Sequence, residues 1–332
     1  MSTRSLSRNS GAGDWAFPET LRPDPKQLQF DLSHASQAMV LVRSHVPEDA
    51  LTANSLGTER LGYGVSIGDD GLILTIGYLI IEAQTIWITS HDGTTVAGHA
   101  VAYDHVSGFG LIIPITKLNI PMIERGSAAS AHVGTTVVVM GHGGLPHTLS
   151  AKIIARRVFA GYWEYVLEDA LFTTPAHPQW GGAAMLDDEG KLIGLGSLLV
   201  HEEASVEAYD ANMFVPLDVL APIMHDMMTT GRRAGPVRPW LGLYATEVEG
   251  MIVVGGLVPG GPAHRSGMRL GDIIKDVAGV DVSDLAQLFR RIWACGPAGT
   301  DIPLTLLRGK RTLNVRATSA DRVTFLKKPR RH

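Results

Sequence analysis

The feature that most constrains this chain is a series of short apolar runs, each closed by a Gly- or Asp-containing turn, with no helical period between them. Residues 64–68, then Asp69-Asp70-Gly71, then 72–75 read as strand, tight turn, strand. An Asp-Gly pair suits that turn because glycine enters the left-handed backbone region without a steric penalty. Residues 85–90 followed by His91-Asp92-Gly93 repeat the pattern, and 133–140, 152–159, 162–167 and 192–199 continue it. Strands at this spacing, without crossover helices, predict a barrel or sandwich and not a doubly wound parallel sheet. The first helical period covers 217–228, behind Pro216 and ahead of Gly231.

A polar, basic, Gly- and Pro-rich stretch at 229–239 predicts a linker between two domains. The length of 332 residues agrees with two domains at ~150 residues each. Beyond the linker, 240–320 reads as a compact α+β module. It has strands at 251–254 and 304–307 and a helix over 284–293, capped by Ser283, with Leu285, Leu288, Phe289 and Ile292 on one face. Residues 1–36 read as an extended arm and 321–332 as a basic, solvated tail.

Composition removes several function classes. A net charge of −4 excludes a generally basic nucleic-acid coat. The single cysteine, Cys295, excludes an internal disulfide framework and a Cys-cluster metal site, and the residue reads as packed, not reactive. The longest apolar run, 72–81, is half of the ~20 residues a membrane helix needs, so no membrane span is expected. No secretory signal is legible in the sequence as written. That predicts a cytoplasmic location, or a periplasmic one if the N-terminus is truncated or mis-started.

Several local motifs carry no chemistry on this reading. Gly64-Val65-Ser66-Ile67-Gly68 has the spacing of an esterase nucleophile elbow, but that elbow needs a strand, a sharp turn and a helix, whereas a hairpin follows Ser66. Gly141-His142-Gly143-Gly144 reads as a glycine turn. His142 with His147, and His201-Glu202-Glu203, lack the spacing of a metal site, and no dinucleotide or phosphate loop is present, so neither metal nor cofactor is expected. The aromatic stretch Gly161-Tyr162-Trp163-Glu164-Tyr165, read as a strand, puts Tyr162 and Glu164 on one face and Trp163 and Tyr165 on the other.

With these residues in hand, the chain resembles bacterial trypsin-fold serine proteases of the HtrA/DegP type. Gly64-Val65-Ser66-Ile67, Asp70-Gly71-Leu72-Ile73-Leu74-Thr75, Asp92-Gly93, Val133-Gly134, Leu192-Ile193-Gly194 and Phe214-Val215-Pro216 fall in the family's order. Trp240-Leu241-Gly242-Leu243, Val258-Pro259-Gly260-Gly261-Pro262-Ala263, Leu270-Gly271-Asp272-Ile273-Ile274 and Arg308-Gly309 are similar to a PDZ domain of the same family. The resemblance implies a mainly β protein: a trypsin-like double β-barrel over 37–228 and a PDZ domain over 240–320. It also implies self-assembly, often as trimers through the N-terminal segment, for which Trp15, Phe17 and Phe30 are the aromatic candidates.

The family's Ser-His-Asp triad can be checked residue by residue. The histidine slot, after the strand ending at Thr75, holds Tyr78, and no histidine occurs from Val46 to Ser90. The aspartate slot, four residues after Asp104, holds Gly108. The serine slot, before the paired glycines Gly181 and Gly182, holds Trp180, and no Ser, Thr or Cys occurs from Pro175 to Gly196. A phenol with pKa ~10 is a poor base at neutral pH, glycine orients nothing, and an indole cannot attack a carbonyl. No catalytic residue is therefore expected. The sequence predicts a pseudoprotease that binds peptide or protein as a scaffold or chaperone-like factor; the alternative is an active serine endopeptidase in protein quality control with displaced catalytic groups. Tyr78, Trp163 and Trp180 become candidates to line the former cleft.

By the same resemblance the PDZ domain takes a partner's C-terminus by strand addition. Trp240, Leu241, Gly242 and Leu243 form the carboxylate loop, Met251, Ile252 and Val253 the templating strand, and Leu285 and Leu288 the helical wall. The apolar walls predict a hydrophobic last side chain on the ligand.

Overall fold

The computed structural model describes residues 15–202 and 208–328. The strands Met39–His45 (β1), Glu59–Ser66 (β2), Ile73–Ile76 (β3), Thr85–Thr89 (β4), Thr95–Tyr103 (β5) and Phe109–Pro114 (β6) close into one barrel, in the order β1-β2-β3-β6-β5-β4. A second barrel follows from Thr136–Met140 (β7), Thr148–Gly161 (β8), Tyr165–Thr174 (β9), Ala184–Leu186 (β10), Leu192–Glu202 (β11) and Tyr209–Pro216 (β12), in the order β10-β11-β12-β9-β8-β7. Among the described residues all pairings within the barrels are antiparallel, and closure leaves no unpaired edge strand. The strand series predicts a barrel or sandwich, and the trypsin-like double barrel that the resemblance implies is the fold observed.

Alternation drives this closure. In β4, Ile86 and Ile88 point inward while Thr85 and Trp87 face out. The β2–β3 hairpin turns at Asp70 and Gly71: the Leu72 amide donates to Asp70 Oδ1 at 3.1 Å and Gly71 sits at φ 82°. Both barrels share one continuous apolar core that includes Phe109, Phe172 and Phe214.

The third unit is an antiparallel sheet of Leu243–Val248 (β13), Met251–Leu257 (β14), Ile273–Val277 (β15), Val280–Asp281 (β16), Asp301–Arg308 (β17) and Arg311–Thr318 (β18). The strand order is β13-β14-β15-β17-β18, with β16 paired to β15, so β13 is an edge. The helix Leu285–Ala294 buries Leu288, Phe289 and Ile292 against it.

Three local expectations are corrected. Residues 161–165 are not a strand: β8 and β9 pair up to Gly161 with Tyr165, which leaves Tyr162, Trp163 and Glu164 as the hairpin turn. The helix expected over 217–228 is a single 3-10 turn at Leu217–Val219 and then a separate helix, Met224–Thr230. Pro222 lies between them and cannot continue a helix, because it lacks an N–H and its ring crowds the preceding turn. The cap of the helix Leu285–Ala294 is Asp284, whose extended backbone lets Oδ1 accept from the Gln287 amide at 2.8 Å; Ser283 lies one residue too early to reach it.

Phe109 is completely buried in the first barrel. Phe109→Ala should destabilise the intact chain by about 3–5 kcal/mol, the usual range for emptying a packed aromatic site. A shift of the first urea transition to lower concentration checks this.

Candidate functional site

The cleft between the barrels is built around Tyr78. It lies in the 3-10 turn Gly77–Leu79 just after β3. The buried Arg60 holds this turn by donating to the carbonyls of Tyr78 at 2.7 Å and Ile81 at 3.0 Å. Burial lowers the Arg60 pKa to about 10, with Glu82 acting against the shift. The Gly77 amide donates to the Gly108 carbonyl at 2.7 Å, and Gly108 adopts φ 85° at the end of a tight turn begun by Asp104. Burial works against charge on Asp104, yet hydrogen bonds from Arg233 and Ser107 hold its carboxyl below the usual range.

Trp180 precedes Gly181 and Gly182 on the facing wall. Only glycine fits at 182: a Cβ there would lie 1.9 Å from the Tyr63 carbonyl oxygen, at a backbone φ of 80°. Tyr78, Gly108, Trp163 and Trp180 line one cavity of about 480 Å³, joined by Tyr162 and Tyr244. The Tyr78 hydroxyl donates to the Ser197 carbonyl at 2.9 Å. Burial raises the Tyr78 phenol above its ordinary value, opposed by a side-chain hydrogen bond with Trp180. Ser197, one residue beyond the hydroxyl-free stretch, also lines the cavity.

Among the described residues no hydrogen bond joins an imidazole to a hydroxyl or thiol side chain. The buried His177 is lowered to about 4 by burial, accepts at Nδ1 from the Gln179 amide at 3.1 Å and faces the His147 carbonyl with Nε2 at 3.2 Å, which makes it a neutral structural imidazole. His105, stacked edge-on against Tyr103, is likewise lowered to about 3 by burial and by Arg322. Ser66 ends β2 and is buried in the barrel.

The second part of the site is the loop Trp240, Leu241, Gly242, Leu243, which runs directly into β13. Gly242 adopts φ 71°, where a Cβ would also press on Val258 and Trp240 at 3.0–3.2 Å. This left-handed residue turns the Leu241 and Leu243 amides to the same side, a backbone nest suited to an anion. The nest is filled. Glu164, at the tip of the β8–β9 hairpin, accepts from the Leu241 amide at Oε2 (3.0 Å) and from the Leu243 amide at Oε1 (2.9 Å). The Tyr162 carbonyl accepts from the Ala245 amide of β13 at 3.0 Å.

The groove between β13 and the helix Leu285–Ala294 is occupied by the same hairpin. Val166 of β9 belongs to the apolar cluster of Leu241, Leu243, Ala245 and Leu288, separate from the barrel core. Glu168 of β9 forms a two-pronged ion pair with Arg290 of the helix at 3.0 and 2.5 Å. Leu288 is fully buried and Leu285 half-buried at the helix start, where its amide donates to Glu247. Trp240 packs on Phe325, ring centroids 4.9 Å apart.

One site expectation is overturned. Met251, Ile252 and Val253 lie in β14, where Ile252 pairs with Glu247 of β13 on one side and Ile274 of β15 on the other, and Val253 with Thr246 and Ile273. An inner strand has no free hydrogen-bonding edge to template a ligand; that edge belongs to β13. Sequence reasoning singled out the aromatic stretch around Glu164 but not its carboxylate. No local signal ties Glu164 to a loop 77 residues away.

The remaining candidates sit as follows. His142 faces the Ser90 carbonyl at 3.1 Å, and His147 packs on Trp15 at 4.3 Å. His201 meets Asp210 at 3.1 Å. The Cys295 thiol faces the Arg291 carbonyl at 3.3 Å, and burial raises its pKa. Phe17 is buried and packs on Trp15 and His177, while Phe30 lies against Gly190, so all three arm aromatics pack on this chain's own second barrel. Parts of the expected arm and tail, residues 1–14 and 329–332, lie outside the described residues, as does Glu203.

Comparison with known proteins agrees with this fold. Residues 62–195 match the trypsin-like peptidase domain and residues 239–318 the PDZ domain. The chain is similar to the serine endoprotease DegS of Haemophilus influenzae, 27% identical over 265 residues that span 76% of this chain and 77% of that protein. It is similar to Protease Do-like 1, chloroplastic, of Arabidopsis thaliana, 27% identical over 318 residues, 86% of this chain and 71% of that one. Among solved structures, the serine endoprotease from Yersinia pestis shares the fold at a TM-score of 0.52 with 24% identity, covering 87% of this chain and 95% of its own. The HtrA-type protease AlgW with tripeptide shares it at 0.52 with 20% identity, covering 90% and 97%.

Burial pushes the Glu164 carboxyl up to about 7, against the pull of the Leu243 and Leu241 amides and of Arg322. Between its ordinary value of 4.5 and about 7 the folded state therefore holds the extra proton, and stability falls as pH rises through that window. The buried histidines, held neutral, tilt the other way below their ordinary 6.5. Subtracting a Glu164→Gln variant isolates the carboxyl: the wild-type urea midpoint should lose stability relative to the variant from pH 4.5 to 7.

Proposed function

We propose that this chain, an HtrA/DegP-like member of the trypsin-like serine proteases with a C-terminal PDZ domain, holds peptide or protein segments without cutting them, as a scaffold or chaperone-like factor. The observation that carries this reading is the makeup of the cavity where the two barrels meet the loop of Trp240, Gly242 and Leu243. Acyl transfer needs a nucleophile beside a general base. The three positions that resemble the triad slots are Tyr78, Gly108 and Trp180, and they line one cavity. Tyr78 is held protonated by burial and spends its hydroxyl on the Ser197 carbonyl. An aromatic-walled cavity of this size suits apolar side chains of a bound segment.

The PDZ half supports the same reading. Leu241 and Leu243 direct their amides at a carboxylate, here that of Glu164, and β13 is the sheet edge at which a strand can add, where the Ala245 amide now bonds the Tyr162 carbonyl. A partner's C-terminus is the ligand such a loop recognises.

Incubation of the purified chain with unfolded casein and a serine-directed phosphonate tests the proposal. We expect no time-dependent fragments and no covalent label; cleavage together with labelling would establish the active-endopeptidase alternative. Peptides ending in a free apolar residue should bind, and amidating their terminus should weaken binding about tenfold or more, because charge-assisted hydrogen bonds to the nest are lost.

A further inference from the structure

We infer that the β8–β9 hairpin is a resident ligand of the PDZ groove, with Glu164 standing in for a terminal carboxylate and Val166 for an apolar ligand side chain, so that an outside chain terminus binds only by displacing it. The inference rests on the reading of this groove as a site for chain termini.

The hairpin reproduces each element of such a ligand. Its carboxylate meets the amides on both sides of Gly242. Its backbone adds to the sheet edge through the bond from the Ala245 amide to the Tyr162 carbonyl. Its Val166 side chain, 4% exposed, joins the apolar cluster between β13 and the helix. An outside ligand that replaces these contacts needs the same chemistry: a free carboxylate and a small branched apolar side chain.

The hairpin is also poised to leave. Glu164 holds φ 62°, a left-handed backbone region that strains a non-glycine residue and persists only where surrounding contacts enforce it. Its carboxylate is buried, and burial opposes its charge. The outer ion pair of Glu168 with Arg290 is exposed and adds little. A peptide α-carboxylate offers the nest the same acceptor oxygens without the left-handed backbone turn that Glu164 requires. Tyr162 and Trp163 of the same turn wall the barrel cavity, so withdrawal of the hairpin remodels that cavity as well. One movable element thereby belongs to both halves of the site.

Amide hydrogen exchange on the full chain tests the occupancy, and peptide titration tests the competition. Glu164→Gly removes the carboxylate while suiting the left-handed turn, so it spares the fold; Glu164→Gln keeps the side-chain length and loses the charge. We expect exchange at Leu241 and Leu243 to quicken about tenfold or more in Glu164→Gly, with Leu306 of the inner sheet unchanged. Unchanged exchange at those two amides would overturn the inference. A fluorescent peptide ending in Val should bind Glu164→Gly about tenfold tighter than wild type, with Glu164→Gln between them, and a last-residue Val to Asp change should abolish the binding. Equal affinity for wild type and Glu164→Gly would overturn the competition. Quickened exchange with no peptide binding to any variant would support the resident ligand and sink the chain-terminus reading instead.

Discussion

A buried carboxylate needs hydrogen-bond donors wherever the chain places it, and Glu164 finds them in the Leu241 and Leu243 amides. This contact seats the PDZ domain on the second barrel and sets the register in which Val166 enters the PDZ core and Glu168 meets Arg290. The rest of the interface follows that seat. Arg233 of the linker pairs with Asp104, Arg238 stacks on Trp293 at 4.1 Å, and Lys327 returns to the first barrel, where its amide reaches Glu82 and its side chain pairs with Asp49. None of the exposed pairs approaches the dependence of a buried charge on its partners.

The barrel cleft obeys a related constraint. Arg60 is buried and donates to the carbonyls of Tyr78 and Ile81, which holds the backbone that carries Tyr78, while the Ser197 carbonyl accepts from the phenol at its far end. Glycine at 182 lets the Trp180 loop pass against the first barrel. An aromatic-lined cavity of this size suits an apolar ligand side chain, in keeping with the proposed binding role.

Much of the architecture was legible because strand alternation and turn chemistry are local. Asp69-Asp70-Gly71 and the run after it specify a hairpin whatever surrounds them. The β5 segment was harder to read: it is half-exposed along most of its length and shows no clean alternation. The break at Pro222 was written in the sequence but hidden inside an otherwise good helical period. Residues 161–165 were misread because aromatic, β-prone residues occupy a turn whose geometry is set by the pairing of two long strands.

Side-chain identity alone settled which chemistry Tyr78, Gly108 and Trp180 can offer, since no packing endows a glycine or an indole with a nucleophile's lone pair. The loop around Gly242 was legible only through its resemblance to a PDZ carboxylate loop. Which anion fills that loop, and which strand keeps a free edge, depended on contacts between segments distant along the chain. Local preferences act over a few residues, whereas the desolvation of Glu164 and the pairing of β14 on both sides arise only when remote segments are packed together.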